Sequence, residues 1–354
     1  MNRPNALRSF SSTDRFPKVA SLGLVAALIA VMGIGAASSA QALSAPRAPY
    51  VMPTPTRIQG ADRYDQAIKA SSAMRTADLV YVTSGEKFAD ALSTAAVAGR
   101  HGAPLLLTPR AAVPESVIAE LGRLEPTTIV VVGGPASVSD EAMEQLSQRV
   151  AGATVVRIGG ADRYEVSRNL LTEPTFGAIR GETVFVVTGA NFPDALTASP
   201  AATHTGASPV LLVDGAEHVA TEAEISVLHS LGANDVHLVG GVNSLSSELE
   251  VNLGGRHFVV TRSEGADRYE AGVSVNRWAF ESASTVYLAS GTAFPDALSG
   301  GPRAAQSGSP LYVVQPNCVP ASVLGEIKRL QAQQIIILGG PATLGSGVDS
   351  LTPC

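Results

Sequence analysis

Arg57-Ile58-Gln59-Gly60-Ala61-Asp62-Arg63-Tyr64 recurs as Arg157-Ile158-Gly159-Gly160-Ala161-Asp162-Arg163-Tyr164, and again as Arg262-Ser263-Glu264-Gly265-Ala266-Asp267-Arg268-Tyr269, at offsets of 100 and 105 residues. A second block follows each copy: Ser84-Gly85-Glu86-Lys87-Phe88-Ala89-Asp90-Ala91-Leu92, Thr188-Gly189-Ala190-Asn191-Phe192-Pro193-Asp194-Ala195-Leu196 and Ser290-Gly291-Thr292-Ala293-Phe294-Pro295-Asp296-Ala297-Leu298. The third is Pro104-Leu105-Leu106-Leu107, Pro209-Val210-Leu211-Leu212 and Pro310-Leu311-Tyr312-Val313; the fourth centres on Gly133-Gly134, Gly240-Gly241 and Gly339-Gly340. Four blocks in one order, three times over, define a tandem repeat.

The second copy shows what each repeat folds into. Val184 to Val187 is a β-branched run, Pro193 to His204 an Ala-rich helix, Val210 to Val213 a strand, and Thr221 to Leu231 a helix. Val236 to Val239, Ser246 to Leu253 and His257 to Thr261 continue as strand, helix and strand. Strands this short and apolar, separated by helices, predict a parallel sheet covered on both faces. Each repeat is therefore expected to be a small doubly wound α/β domain. We divide the chain into repeats at 56–152, 153–258 and 259–354. The third copy lacks the strand that closes the other two, and Thr56 to Gln59 is the segment expected to supply it.

The Gly-Ala-Asp-Arg-Tyr, Phe-Pro-Asp-Ala-Leu, Pro-x-Leu-Leu and Val-Gly-Gly blocks resemble the cell wall-binding repeat 2 family of exported Gram-positive proteins, over roughly residues 54 to 354. The resemblance implies three α/β domains in a triangular, pseudo-threefold array that attaches non-covalently to anionic wall-linked polymer, teichoic-acid-like or a secondary wall polysaccharide. It also implies that the Pro-x-Leu-Leu block, Pro104 to Leu107, Pro209 to Leu212 and Pro310 to Val313, is needed for attachment. Read from the residues, these are buried strands, which points to fold integrity or packing between copies. Family members often carry an effector domain, and none is expected within these 354 residues.

The N-terminus predicts export. Arg3, Arg8, Arg15 and Lys18 precede an apolar run from Val19 to Ala37 that ends in Ser-Ala-Gln-Ala, the form of a signal peptide cleaved after Ala42. Residues 43–55, with Pro46, Pro49, Pro53 and Pro55, read as an extended tether. The chain has 25 Lys+Arg and 31 Asp+Glu, and removing a leader with four bases and one acid leaves a net −9. Such a field excludes nucleic acid as a general partner, and the processed chain is expected to have no membrane association. Cys318 and Cys354, the two cysteines of an exported chain, are expected to form one disulfide.

Candidate binding residues come from the repeated blocks. Asp62, Asp162 and Asp267 stand where a helix N-cap is expected, each with an acid three positions on. Arg57, Arg157 and Arg262, with Arg63, Arg163 and Arg268, place two guanidiniums per copy near a helix N-terminus. They either dock phosphate or carboxylate groups of a polymer or pair with acids of the neighbouring copy. Asp90, Asp194 and Asp296 follow a strand's carboxyl end, where open α/β sheets hold ligands, and suit sugar hydroxyls or a bridging cation; Phe88, Phe192 and Phe294 offer stacking faces or core. The Gly-Gly pairs lack the spacing of a nucleotide loop and read as tight turns.

No catalytic constellation is visible. His101, His204, His218, His229, His237 and His257 are scattered and none falls in a repeated block. We expect no catalytic residues, cofactor or metal. Triplication favours summed weak contacts along a polymer. The alternatives are an accessory factor or modifier of a wall hydrolase of the N-acetylmuramoyl-L-alanine amidase type, and a self-associating surface-layer protein.

Overall fold

The computed structural model describes residues 49–206 and 208–354. The expected signal peptide, 1–42, and the first part of the tether lie outside them. Three separate sheets are present, each of four parallel strands. The first contains β2 (Leu79–Ser84), β3 (Leu105–Thr108), β4 (Thr128–Val132) and β5 (Thr154–Ile158), in the spatial order β3-β2-β4-β5. The second repeats it as β7-β6-β8-β9, from β6 (Thr183–Thr188), β7 (Val210–Val213), β8 (Asp235–Val239) and β9 (Val259–Ser263).

In the third sheet the fourth position falls to the other end of the chain. Its strands are β10 (Thr285–Ser290), β11 (Leu311–Val314) and β12 (Gln334–Leu338), and β1 (Thr56–Ile58) pairs with β12 in register Thr56 to Ile336 and Ile58 to Leu338. The N-terminal segment thus supplies the missing strand. Just before it, the Tyr50 hydroxyl donates to the Ala332 carbonyl at 2.7 Å and Met52 packs on the core. Each fourth strand leads directly into the first helix of the next repeat, α1 (Arg63–Ser71) after β1, α5 (Arg163–Thr172) after β5 and α9 (Arg268–Ala279) after β9. Every sheet therefore crosses between sequence repeats, and the units form a closed ring.

The hub of the ring is made of α2 (Ala89–Arg100), α6 (Pro193–His204) and α10 (Pro295–Gln306), each packed against the other two. Their sequences, ADALSTAAVAGR, PDALTASPAATH and PDALSGGPRAAQ, are dominated by small side chains, which lets three helices converge closely. At one end of the hub Phe88, Phe192 and Phe294 meet, their ring centroids 5.7, 5.7 and 5.8 Å apart, marking the pseudo-threefold axis. Outside lie α3 (Glu115–Leu124), α4 (Asp140–Arg149), α7 (Glu222–Leu231), α8 (Ser247–Gly255), α11 (Ala321–Leu330) and the short α12 (Ser346–Asp349). Among the described residues no helix is long and apolar enough to cross a membrane.

The second repeat departs from the sequence expectation at its last strand, which begins at Val259 and not His257. His257 has φ of 72°, a left-handed turn conformation that no strand accommodates. Cys318 and Cys354 form the expected disulfide, with Cα atoms 5.2 Å apart, and the Cys354 amide donates to the Val319 carbonyl. The bond ties down a chain end that would otherwise fray.

Candidate functional site

The two sets of repeated arginines have separate positions. Arg57, Arg157 and Arg262 end the fourth strand of each sheet and reach across to the Gly-Gly turn of the neighbouring strand. Their Nη1 atoms donate to the carbonyls of Gly339 (2.6 Å), Gly133 (2.8 Å) and Gly240 (2.8 Å). Each also pairs with an acid of the preceding repeat around the ring: Asp349 at 2.5 Å, Asp140 at 3.0 Å and Glu250 at 2.8 Å. Their side chains are largely buried. These guanidiniums lock a turn and join neighbouring copies.

The turn they lock needs glycine. Gly133, Gly240 and Gly339 have φ of 120°, 125° and 111°, and a Cβ there would run into the carboxylates of Asp90, Asp194 and Asp296.

Arg63, Arg163 and Arg268 open α1, α5 and α9. The preceding Asp62, Asp162 and Asp267 are the expected N-caps, each accepting from two backbone amides of the first turn. Each arginine donates Nη1 to a carbonyl of its own repeat, Gly85 (2.5 Å), Gly189 (2.5 Å) or Gly291 (2.7 Å). Among the described residues none of the three forms an ion pair. Instead Arg63 lies over the Phe294 ring at 5.9 Å and Arg163 over Phe88 at 5.5 Å, each an aromatic of the preceding unit in the ring.

Asp90, Asp194 and Asp296 sit in the first turns of the hub helices and hydrogen-bond Ser137, Ser244 and Thr343, the last at 3.1 Å. Burial raises the pKa of all three above the usual carboxylate range. Opposing it are the hydroxyl bonds and then, at longer range, Lys87 and Arg163 for Asp90, Arg268 for Asp194 and Arg63 for Asp296. The arginine facing each aspartate belongs to the next unit, and not to the aspartate's own repeat. A cleft of about 590 Å³ opens between the first two units, lined by Asp90, Ser137, Asp162, Arg163, Lys87 and, from the third unit, Phe294. Its counterpart between the second and third units, lined by Asp194, Ser244, Asp267 and Arg268, measures about 220 Å³.

The Ser137, Ser244 and Thr343 hydroxyls are a site feature the sequence reading passed over. They stand four residues after the first glycine of each Gly-Gly pair, a recurrence visible in the sequence. The Pro-x-Leu-Leu residues lie elsewhere. Pro104, Leu105, Leu106 and Leu107 on and before β3, Pro209, Val210, Leu211 and Leu212 at β7, and Pro310, Leu311, Tyr312 and Val313 at β11 are all buried. Helices α1, α5 and α9 cover these edge strands, together with the hub helix of a neighbouring unit: α10 on β3, α2 on β7 and α6 on β11. No side chain of the three strands reaches solvent by more than a few per cent.

Among the described residues no group of three or more His, Cys, Asp or Glu is placed to hold a metal. The histidine most removed from water is His237 on β8, 1 % exposed, with Nδ1 2.7 Å from Thr261 Oγ1, Nε2 2.9 Å from Ser263 Oγ and Trp278 stacked on its ring. Burial pushes its pKa down to about 4. The unfolded chain therefore takes up this proton near pH 6.5 and the folded chain only near 4, so the contribution is intact above pH 6.5 and lost as pH falls. Wild type is expected to lose about 3 kcal/mol of stability between pH 7 and pH 4 that the His237→Val variant retains. Val130 and Ile336 occupy the matching positions of the other sheets. Denaturant melts across that range check this, and equal acid sensitivity of the two proteins would refute it.

The match to known families decides the class. Residues 57–143, 157–250 and 262–349 each fit the model of cell wall binding domain 2 (CWB2). The chain belongs to this family. It is 26 % identical over 293 residues to the N-acetylmuramoyl-L-alanine amidase LytC of Bacillus subtilis, covering 82 % of this chain and 56 % of that protein. The amidase enhancer of the same organism is 27 % identical over 295 residues, covering 83 % of this chain and 39 % of the enhancer. The chain thus spans about half or less of the length of these relatives. Among solved structures, Cwp6 from Clostridium difficile superposes with a TM-score of 0.74 at 25 % identity, over 84 % of this chain and 48 % of Cwp6. Cwp8 from the same organism gives 0.72 at 24 % over 84 % and 51 %, and shares the fold of this CWB2 chain.

Proposed function

We propose that this chain is exported to the cell surface and attaches non-covalently to the wall by holding an anionic wall-linked polymer in the clefts between its units. The carrying observation is that at each junction of the ring an arginine with no ion-pair partner among the described residues, Arg63, Arg163 or Arg268, stands near a buried or half-buried carboxylate of the preceding unit. The guanidinium supplies an anion contact, and the carboxylate an acceptor for sugar hydroxyls. Arg57, Arg157 and Arg262 are spent on turn carbonyls and acids, and serve as the frame. A processed chain of net −9 needs such local cations to approach a polyanion at all.

Purified protein should co-sediment with walls and come off walls stripped of their anionic polymers. Changing Arg63, Arg163 and Arg268 together to Ala is expected to weaken retention on the order of a hundredfold, with each single change much milder. Undiminished retention by a folded triple variant would remove these arginines from the site. A second reading, an accessory factor or modifier of a wall amidase, is favoured by the similarity to the amidase enhancer. Adding the protein to an amidase digesting purified walls tests it, and an unchanged rate counts against it.

A further inference from the structure

The three junctions share Asp, hydroxyl and Arg, yet their rims differ. In the second block Lys87 of the first unit corresponds to Asn191 and Ala293 of the others, and Ala89 corresponds to Pro193 and Pro295. Of the two clefts, and among the described residues, only the first therefore has an ammonium on its rim, where Lys87 Nζ donates to the Ala136 carbonyl at 3.1 Å. In its hub helix the first turn also offers a backbone N–H at Ala89 that proline removes in α6 and α10. Phe88, the N-cap of α2, presents no capping side chain. Glu86, the acid beside Lys87, accepts the Arg110 amide at 3.1 Å. With about 590 Å³ against about 220 Å³ in the second, the first cleft has the size of a small-molecule site.

We infer that the first cleft is the principal grip and takes one sugar ring bearing a phosphate or carboxylate, its charge between Lys87 and Arg163, a hydroxyl on Asp90 and the ring against Phe294. The assignment rests on the polymer-holding reading above. The other two junctions act as weaker, secondary contacts along the same polymer.

The test uses the full processed chain and three probes, glucose 6-phosphate, glucuronate and glucose, titrated by NMR or calorimetry, beside wall co-sedimentation. Both charged sugars are expected to bind at the first cleft and glucose not to, and their relative strengths distinguish phosphate from carboxylate. Lys87→Ala should weaken the charged sugars about tenfold without moving the melting temperature, because the side chain is exposed. Asn191→Lys should strengthen the second cleft. Equal binding of glucose, or full affinity in Lys87→Ala, overturns the assignment. If walls retain wild type and Lys87→Ala equally while the triple arginine variant is lost, only this cleft's primacy fails. If walls do not retain wild type, the polymer-holding reading fails as well.

Discussion

A single repeat cut from the chain, residues 56–152 for example, is expected to lose wall retention by ~10² to 10⁴ relative to the intact ring. The reason goes beyond the number of contacts. Asp90 faces Arg163, which lies outside that fragment, and Phe294, which lines the same cleft, comes from the third unit. No repeat contains a whole cleft. The fragment also lacks β5, the partner of β4, and uncovers α2, of whose residues only Arg100 escapes burial. Exposed apolar surface on that scale gives a poorly packed or associating product. Co-sedimentation with walls, read beside urea melts of fragment and full chain, checks both points. A fragment that melts cooperatively and adheres like the whole protein would show that each repeat is self-sufficient.

Leu106→Ala is expected to destabilise the protein by ~2 to 5 kcal/mol, the usual range for emptying a well-packed site. Leu106 is wholly buried in the Pro-x-Leu-Leu strand β3, within a core cluster of its own unit that includes Ala67 of α1, Val80, Val82 and Ile118. Attachment should fall with the folded fraction and return where the variant is kept folded by low temperature or an osmolyte. Wall binding lost from a variant that is still fully folded would mean that this strand touches the polymer. Recovery of attachment together with folding would make the part of this block mechanical, through the packing that shapes the clefts.

Much of this architecture can be read from residue order. β-branched runs bounded by helix signals placed the strands of the second repeat, and Asp62, Asp162 and Asp267 were legible as caps because the acid three positions on marks a helix start. The closing role of β1 followed from counting strands: the third repeat was one short and a matching segment stood at the other end. Pairing across the ring was not legible. Spacing within one repeat puts Arg63 in the same unit as Asp90, and no periodicity reveals that the charge nearest Asp90 across the junction is Arg163. Nor does spacing separate Arg57 from Arg63, since both are arginines of one block. What divides them is that the first ends a strand and reaches a turn carbonyl, while the second starts a helix facing the axis. His257 shows a smaller lesson, a local left-handed turn overriding an apolar pattern.

If binding resides at junctions between units, energetic coupling must cross them. A double-mutant cycle on wall retention decides this, with Asp90→Asn combined first with Arg163→Ala and then with Arg63→Ala. The pair from neighbouring units is expected to be non-additive by more than about 0.5 kcal/mol, and the pair from one unit additive within that margin. Coupling between Asp90 and Arg63, with none between Asp90 and Arg163, would contradict a site shared between units.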